Sequence, residues 1–378
     1  MQVRSELKLG VGIALLALSC GSNKKAEPDK AAGATETTAV AGLERAGQPG
    51  AGAEQGGSGA KFNPRLLRRF KAVSARFESG KAPSEPEIKL GRMLYYEKRL
   101  SKNQDISCNS CHDLNHYGVD GEATSAGFKG QRGGRNSPTV YHAAGYFAQF
   151  WDGRAASVEE QAKGPIANPI EMASSGESAV RVLKSIPEYT KLFAAAFPGD
   201  ADPVTFDNVG RAIGAFERGL STPSRWDKYL DGDNKALTAA EVEGLRVFTN
   251  VGCMVCHTGE FLGANSYQKV GSVEAWPNQK DQGRYAVTKS ESDRMMFKVP
   301  SLRNIDKTAP YFHDGSATTL EDAVRMMGKH QLGLELSDAE VTSVVAWLKS
   351  LTGEIPRDYV AAPELPKSTK ETPAPNGG

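Results

Sequence analysis

Between about residues 62 and 355, apolar side chains recur mostly at helical spacing, and strict alternation of apolar and polar positions is rare. The sequence therefore predicts a mainly α fold with little sheet. Ser84 and Glu87 form a capping box ahead of Ile88, Leu90, Met93 and Leu94, and Thr238 and Glu241 repeat it ahead of Val242, Leu245 and Phe248. Each half closes on a strongly apolar helix. The first is TFDNVGRAIGAFERGL, with Phe206, Val209, Ile213 and Phe216 on one face. The second is capped by Ser337 and Glu340, carries Val341, Val344, Val345 and Leu348, and is expected to end at Gly353 as its C-cap. Two halves with one order of elements imply two domains, with the border near residue 222 in STPSRWDKYLDGDNK.

The ends of the chain read differently. Arg4 and Lys8 precede the apolar run Val11–Leu18, which is too short to span a bilayer and fits a cleaved export signal. Cys20 closes that run after Ala17, Leu18 and Ser19, a pattern resembling a bacterial lipobox in which the cysteine is lipidated. Residues 20–60 are rich in Gly, Ala and Glu and hold few large apolar side chains, so a disordered tether is expected. The proline-rich residues 356–378 are expected to form a disordered tail. The organisation that follows is a lipoprotein-type signal peptide at 1–19, the tether at 20–60, an N-terminal domain at 61–221, a C-terminal domain at 222–355, and the tail.

Composition narrows the function. The net charge is +1, from 46 basic and 45 acidic residues, which gives no reason to expect a nucleic-acid partner. Only five cysteines occur, four of them in two short groups, so this is not a disulfide scaffold. Apolar residues make up 39%, a lean content for two cores.

The two groups carry the chemistry. Cys108, Cys111 and His112 stand in DISCNSCHDL, and Cys253, Cys256 and His257 in GCMVCHTG. A structural zinc site needs four ligands at short spacing, and each group supplies three. A local disulfide leaves both histidines unexplained. Covalent haem uses all three residues: two thioethers and a proximal imidazole on the same turn. Two c-type haems are therefore expected, and they also supply apolar core. Each iron then has a second face. Methionine there gives an electron carrier, and an open face lets the iron bind a small molecule.

From about residue 62 to 355 the chain resembles the bacterial dihaem cytochrome c peroxidases. The resemblance rests on the two C-x-x-C-H groups and on GGRNSPTV (133–140), AQFWDGRA (148–155), EQAKGPIANPIEM (160–172), FKVPSLRN (297–304) and PYFHDGSATTLEDAV (310–324), in the family's order. It implies two cytochrome c-like haem domains packed against each other, a peroxidatic haem in the first and an electron-transfer haem in the second. It implies hydrogen peroxide as oxidant, a small cytochrome c or cupredoxin as donor, a periplasmic setting and a homodimer. By the same match Met327 is the distal ligand of the second iron, with Met326 as runner-up. Trp151 lies between the haems. Glu171 is the acid–base residue above the first iron, with Gln161 and Pro165 lining its pocket. Asn136, Thr308 and Pro310 hold an inter-haem calcium ion, a set of neutral oxygens suited to a hard cation.

The remaining histidines get plainer roles. His313 is expected to bond near a haem propionate or position a loop, and His116 to lie on the proximal side of the first haem. His142 and His330 are expected at the surface. One position departs from the family: many members carry an iron-capping histidine seven residues before Arg135, where this chain has Phe128. Two rival readings share the domains. One is a dihaem oxidase acting on a partner protein, against which Met327 argues. The other is a dihaem electron carrier, which has no need of Glu171.

Overall fold

The structure, a computed structural model, describes residues 62–376 apart from 79 and 81. The export signal, Cys20 and the tether lie outside the described residues. The principal helices are α1 (Glu85–Tyr96), α2 (Cys108–Cys111), α3 (Val158–Ala167), α4 (Gly176–Lys184), α5 (Pro187–Ala196), α6 (Phe206–Glu217), α7 (Arg225–Leu230), α8 (Ala239–Asn250), α9 (Leu320–Met326) and α10 (Asp338–Lys349). Long loops join them. The described sheet is one antiparallel pair, β1 (Tyr267–Lys269) with β2 (Met296–Lys298), in the register Tyr267↔Lys298.

The capping boxes at Ser84, Thr238 and Ser337 all form, each stabilising its helix by about 1 kcal/mol. A second shared device sits inside the helices. A Cβ at Gly91 of α1 would stand 1.8 Å from the carbonyl oxygen of Ala212 on α6. A Cβ at Gly244 of α8 would stand 1.9 Å from that of Ser343 on α10. In both halves the two long helices thus cross at backbone contact, which only glycine permits. Leu90, Leu94, Tyr95, Ile213 and Phe216 fill the first core, and Trp226, Leu245, Phe248, Val344 and Trp347 the second.

Both ends of the folded chain cross over. Phe62 and Phe70 belong to the second core, where the Phe70 ring meets Trp226 edge-on at 5.3 Å. Ile355 and Val360 belong to the first core, and Tyr359 stacks on Phe216 at 5.2 Å. This corrects the expectation of a disordered tail for the residues from 356 to 376. Tyr96 donates to the Val360 carbonyl at 2.6 Å, Arg99 to that of Pro366 at 2.8 Å and Gln104 to that of Pro373 at 2.8 Å. The prolines that suggested disorder leave little backbone freedom to lose, so a few buried apolar side chains suffice to hold the segment down.

Gly353 is not a C-cap. α10 ends four residues earlier, and Gly353 is bridged to Ser224. A Cβ there would stand 2.0 Å from the Thr222 carbonyl oxygen.

His142 and His330 are buried, against the expectation of surface positions. His142 Nε2 lies 2.9 Å from Thr222 Oγ1, which in turn bonds Asn304, so one buried polar chain joins three segments far apart in sequence. His330 packs edge-on to Trp276, with Nδ1 3.2 Å from the Glu274 carbonyl oxygen. Both imidazoles have aromatic walls and a polar partner inside, which a sequence pattern cannot reveal.

Candidate functional site

The two Cys-Cys-His groups form alike. His112 N–H bonds the Cys108 carbonyl at 2.9 Å, and His257 N–H bonds that of Cys253 at 3.1 Å. Each histidine is therefore one turn after its first cysteine. His112 Nδ1 faces the Gly118 carbonyl oxygen at 3.3 Å, and His257 Nδ1 faces that of Leu262 at 2.8 Å. A carbonyl accepts only, so the proton sits on Nδ1 and the Nε2 lone pair is turned away for a metal. Burial lowers both imidazole pKa values, which keeps the rings neutral, as a ligand must be. The four thiols are unpaired, and burial pushes Cys108 and Cys253 up to about 12. Neutral imidazoles, each with Nδ1 on a backbone carbonyl and beside two unpaired cysteines, fit covalent haem.

Glu171 stands on a tight turn after α3. Its N–H bonds the Asn168 carbonyl at 3.1 Å, and the Asn168 side-chain amide donates to Glu171 Oε1 at 2.7 Å. Burial raises its carboxyl above the ordinary range, opposed by the Arg154 guanidinium and the Asn168 bond. Of its two neighbours, Ile170 is 38% exposed and Met172 is buried. Burial raises the Cys111 thiol, and the Asp120 and Glu171 carboxylates add to that, which puts Glu171 within electrostatic reach of the first motif. Gln161 lies on α3, one turn before Pro165.

Trp151, Asn136 and His313 come together. Trp151 Nε1 donates to the Asn136 carbonyl at 2.9 Å, and Asn136 N–H to that of His313 at 2.8 Å. The His313 ring stacks on Phe297 at 4.1 Å and meets Trp151 edge-on at 6.3 Å. Its Nε2 is buried without a protein partner, which fits a haem carboxylate. Thr308 and Pro310 lie just before His313. Among the described residues no group of three or more His, Cys, Asp or Glu could hold a metal, so an ion at Asn136 would rest on neutral oxygens. His116 is exposed and lies 2.6 Å from Asp113.

Met326 and Met327 both pack against the cluster of Trp276, Met295 and Phe297. Met327 opens a π-helical turn, Met327–Leu332, a widening that often marks functional positions.

Four neighbours carry little mark in the sequence pattern. Phe150 carries the Arg154 guanidinium 3.4 Å above its ring, and Asp152 holds that guanidinium at 3.1 Å. Lys298 is buried beside Trp151. A lysine amid the apolar residues of FKVP was the available signal.

A family model described as di-haem cytochrome c peroxidase matches residues 85–235, and a cytochrome c model matches residues 241–352. The cytochrome c551 peroxidase of Nitrosomonas europaea is 49% identical over 286 residues, covering 75% of this chain and 84% of that one. That of Pseudomonas aeruginosa is 47% identical over 302 residues, covering 78% and 86%. The methylamine utilization protein MauG of Methylorubrum extorquens is 33% identical over 314 residues, covering 80% and 88%. Among solved structures, a MauG-like protein associated with microbial copper homeostasis aligns with a TM-score of 0.70 at 30% identity, covering 78% of this chain and 97% of that one.

Proposed function

The chain belongs to the di-haem cytochrome c peroxidase family, and from that premise we propose that it reduces hydrogen peroxide to water with electrons from a small cytochrome c or cupredoxin. The observation that carries this reading is the pair of histidines, His112 and His257, each one turn after a cysteine and each with Nδ1 on a backbone carbonyl. Cys108 and Cys111 with His112 would hold one haem, and Cys253 and Cys256 with His257 and Met327 the other. When bound, these haems supply an iron open to peroxide and a second, stored electron.

The chain's own groups do the rest. Glu171 takes the proton from the peroxide oxygen nearer the iron and returns it to the farther one, so the leaving oxygen departs as water. Arg154 opposes the effect of burial and favours the ionised carboxylate that accepts that proton. Gln161 and Pro165 shape the pocket wall. Trp151, fixed by its bond to Asn136, lies on the path between the two halves. A calcium ion on Asn136, Thr308 and Pro310 belongs to the same proposal. So do the periplasmic setting, lipidation at Cys20 and a homodimer. The export-signal pattern supports the first two, and no helix among the described residues is long and apolar enough to cross a membrane.

Mass spectrometry of the denatured protein, made in cells competent in haem attachment, tests the cofactors, and peroxide-driven oxidation of a reduced small cytochrome c tests the activity. Two haems and donor turnover are the expected results. A haem-free, zinc-loaded protein would sink the reading.

A further inference from the structure

Lys298 ends β2 with its side chain buried, only 7% exposed. Its backbone N–H donates to the Trp151 carbonyl at 2.8 Å. Its side chain reaches back along the same segment, and Nζ donates to the Ala148 carbonyl at 2.9 Å. The ammonium also stands 4.8 Å from the centre of the Tyr146 ring. One residue of the second half thus grips the 146–151 segment at two points, and that segment ends on Trp151. Tyr267, its cross-strand partner, reinforces the grip by presenting its hydroxyl to the Gly153 carbonyl at 3.5 Å.

The charge is costly where it lies. The ammonium makes no ion pair with any described carboxylate, and a buried cation with a lone hydrogen bond loses much of its hydration. Asp152 helps only from a distance and is already held by Arg135 and Arg154. A methionine would fill the same space without that cost. Burial pushes the Lys298 ammonium down to about 7, with Asp152 opposing. The other groups facing it keep their charge state near neutral pH. The Tyr146 phenol is pushed by burial up to about 12, and Tyr267 is also raised by burial. The guanidiniums of Arg284, against Tyr267, and Arg303, near Tyr146, stay cationic.

We propose that Lys298 is a positioning residue for Trp151 and an electrostatic control on electron flow past it. The inference rests on the reading that Trp151 lies between two haems. A cation beside a redox centre stabilises the added electron and raises the reduction potential. Electron uptake therefore draws a proton from solvent onto Nζ, and electron departure returns it to water. The lysine makes the site electron-accepting when charged and electron-donating when neutral.

The test is a spectroelectrochemical titration of the intact di-haem protein from about pH 5.5 to 8.5, a range that brackets the lysine and excludes ordinary carboxylates. In the unaltered protein at least one haem potential should fall as pH passes about 7. Lys298→Met should hold that potential flat at the alkaline value, and Lys298→Arg should hold it flat at the acid value. A slope that survives in either variant overturns the control role and assigns the proton elsewhere, a haem propionate being the alternative. Lys298→Arg keeps the charge and the reach, so it decides the matter even if Lys298→Met fails to fold. The positioning role predicts slower inter-haem electron transfer in Lys298→Met at unchanged haem content, and an unchanged rate overturns it. Loss of haem or of peroxide turnover in the unaltered protein would instead overturn the peroxidase reading, which is measured separately.

Discussion

The indole of Trp151 donates its hydrogen bond to the backbone carbonyl of Asn136, a residue whose side chain is also the proposed calcium ligand. The Asn136 amide nitrogen donates to the Glu122 carbonyl at 2.9 Å, which turns the side-chain oxygen the other way. An ion pulling on that oxygen would therefore fix the carbonyl on which Trp151 hangs. Chelation should slow inter-haem electron transfer at unchanged haem content, and added calcium should restore it. Asn136→Ala should weaken calcium retention by about ten- to a hundredfold. Equal rates with and without chelator would remove the ion from the mechanism.

Glu171 gives the second prediction. Glu171→Gln keeps the shape and removes the proton acceptor, and such groups typically contribute about 10² to 10⁴ in rate. A loss in that range in kcat/KM for peroxide is expected, with both haems retained. Burial raises the carboxyl, so its ionised form is lost at a higher pH than at a surface glutamate. The acid limb of the rate profile should lie above the ordinary carboxylate range, near 4.3. Arg154 opposes that shift, so Arg154→Leu should move the limb further up. A limb that stays put would mean another group takes the proton.

The site was more legible than its supports. The two Cys-Cys-His groups and the capping boxes are local in sequence, so spacing alone placed them. The close helix crossings at Gly91 and Gly244 depend on partners more than a hundred and about a hundred residues away, Ala212 and Ser343. Nothing local marks those glycines. The tail misled for a related reason: its prolines look disordered until the hydrogen-bond partners Tyr96, Arg99 and Gln104 are in place. The burial of His142 likewise depends on a partner, Thr222, that stands 80 residues away, which no local pattern shows.

That histidine has a stability signature. Burial lowers the His142 imidazole to about 3, with Arg303 adding to the effect. In the unfolded chain it titrates near 6.5. The folded state therefore binds fewer protons between those values, and stability rises with pH there. The contribution is fully present above about pH 6.5 and is lost as pH falls toward 3. His142→Asn should flatten the fall in Tm between about pH 6.5 and 4 while lowering Tm at neutral pH through lost packing against Phe77 and Phe261. An unchanged acid slope would place the titrating group elsewhere.

Met327 tests the division of labour between the halves. If its sulfur ligates the second iron, Met327→His should lower that haem's potential sharply, because imidazole favours ferric iron more than thioether does. Peroxide should still bind at the first haem while turnover falls. The π-helical turn opening at Met327 sets it apart from Met326, which ends the regular helix. An unchanged potential would transfer the ligand role to Met326.

Phe128 decides how the first haem is gated. In the stretch SAGFKGQRGG, Gly127 serves docking. A Cβ there would stand 2.1 Å from the Ile170 carbonyl oxygen, so only glycine lets the loop lie on the segment that carries Glu171. Phe128 N–H donates to the Glu171 carbonyl at 2.7 Å. Its ring lies 5.2 Å from the Lys102 ammonium and 5.6 Å from that of Lys129, and it offers no lone pair to iron. Neither His116, which is exposed on Asp113, nor His142, which is committed to Thr222, fills the role. The oxidised enzyme should therefore show a high-spin ferric EPR signal beside a low-spin one, and should bind peroxide without prior reduction. Phe128→His should supply the missing ligand and create a low-spin resting form that reacts only after partial reduction. A wholly low-spin oxidised protein that ignores peroxide until half-reduced would mean that another residue caps the iron.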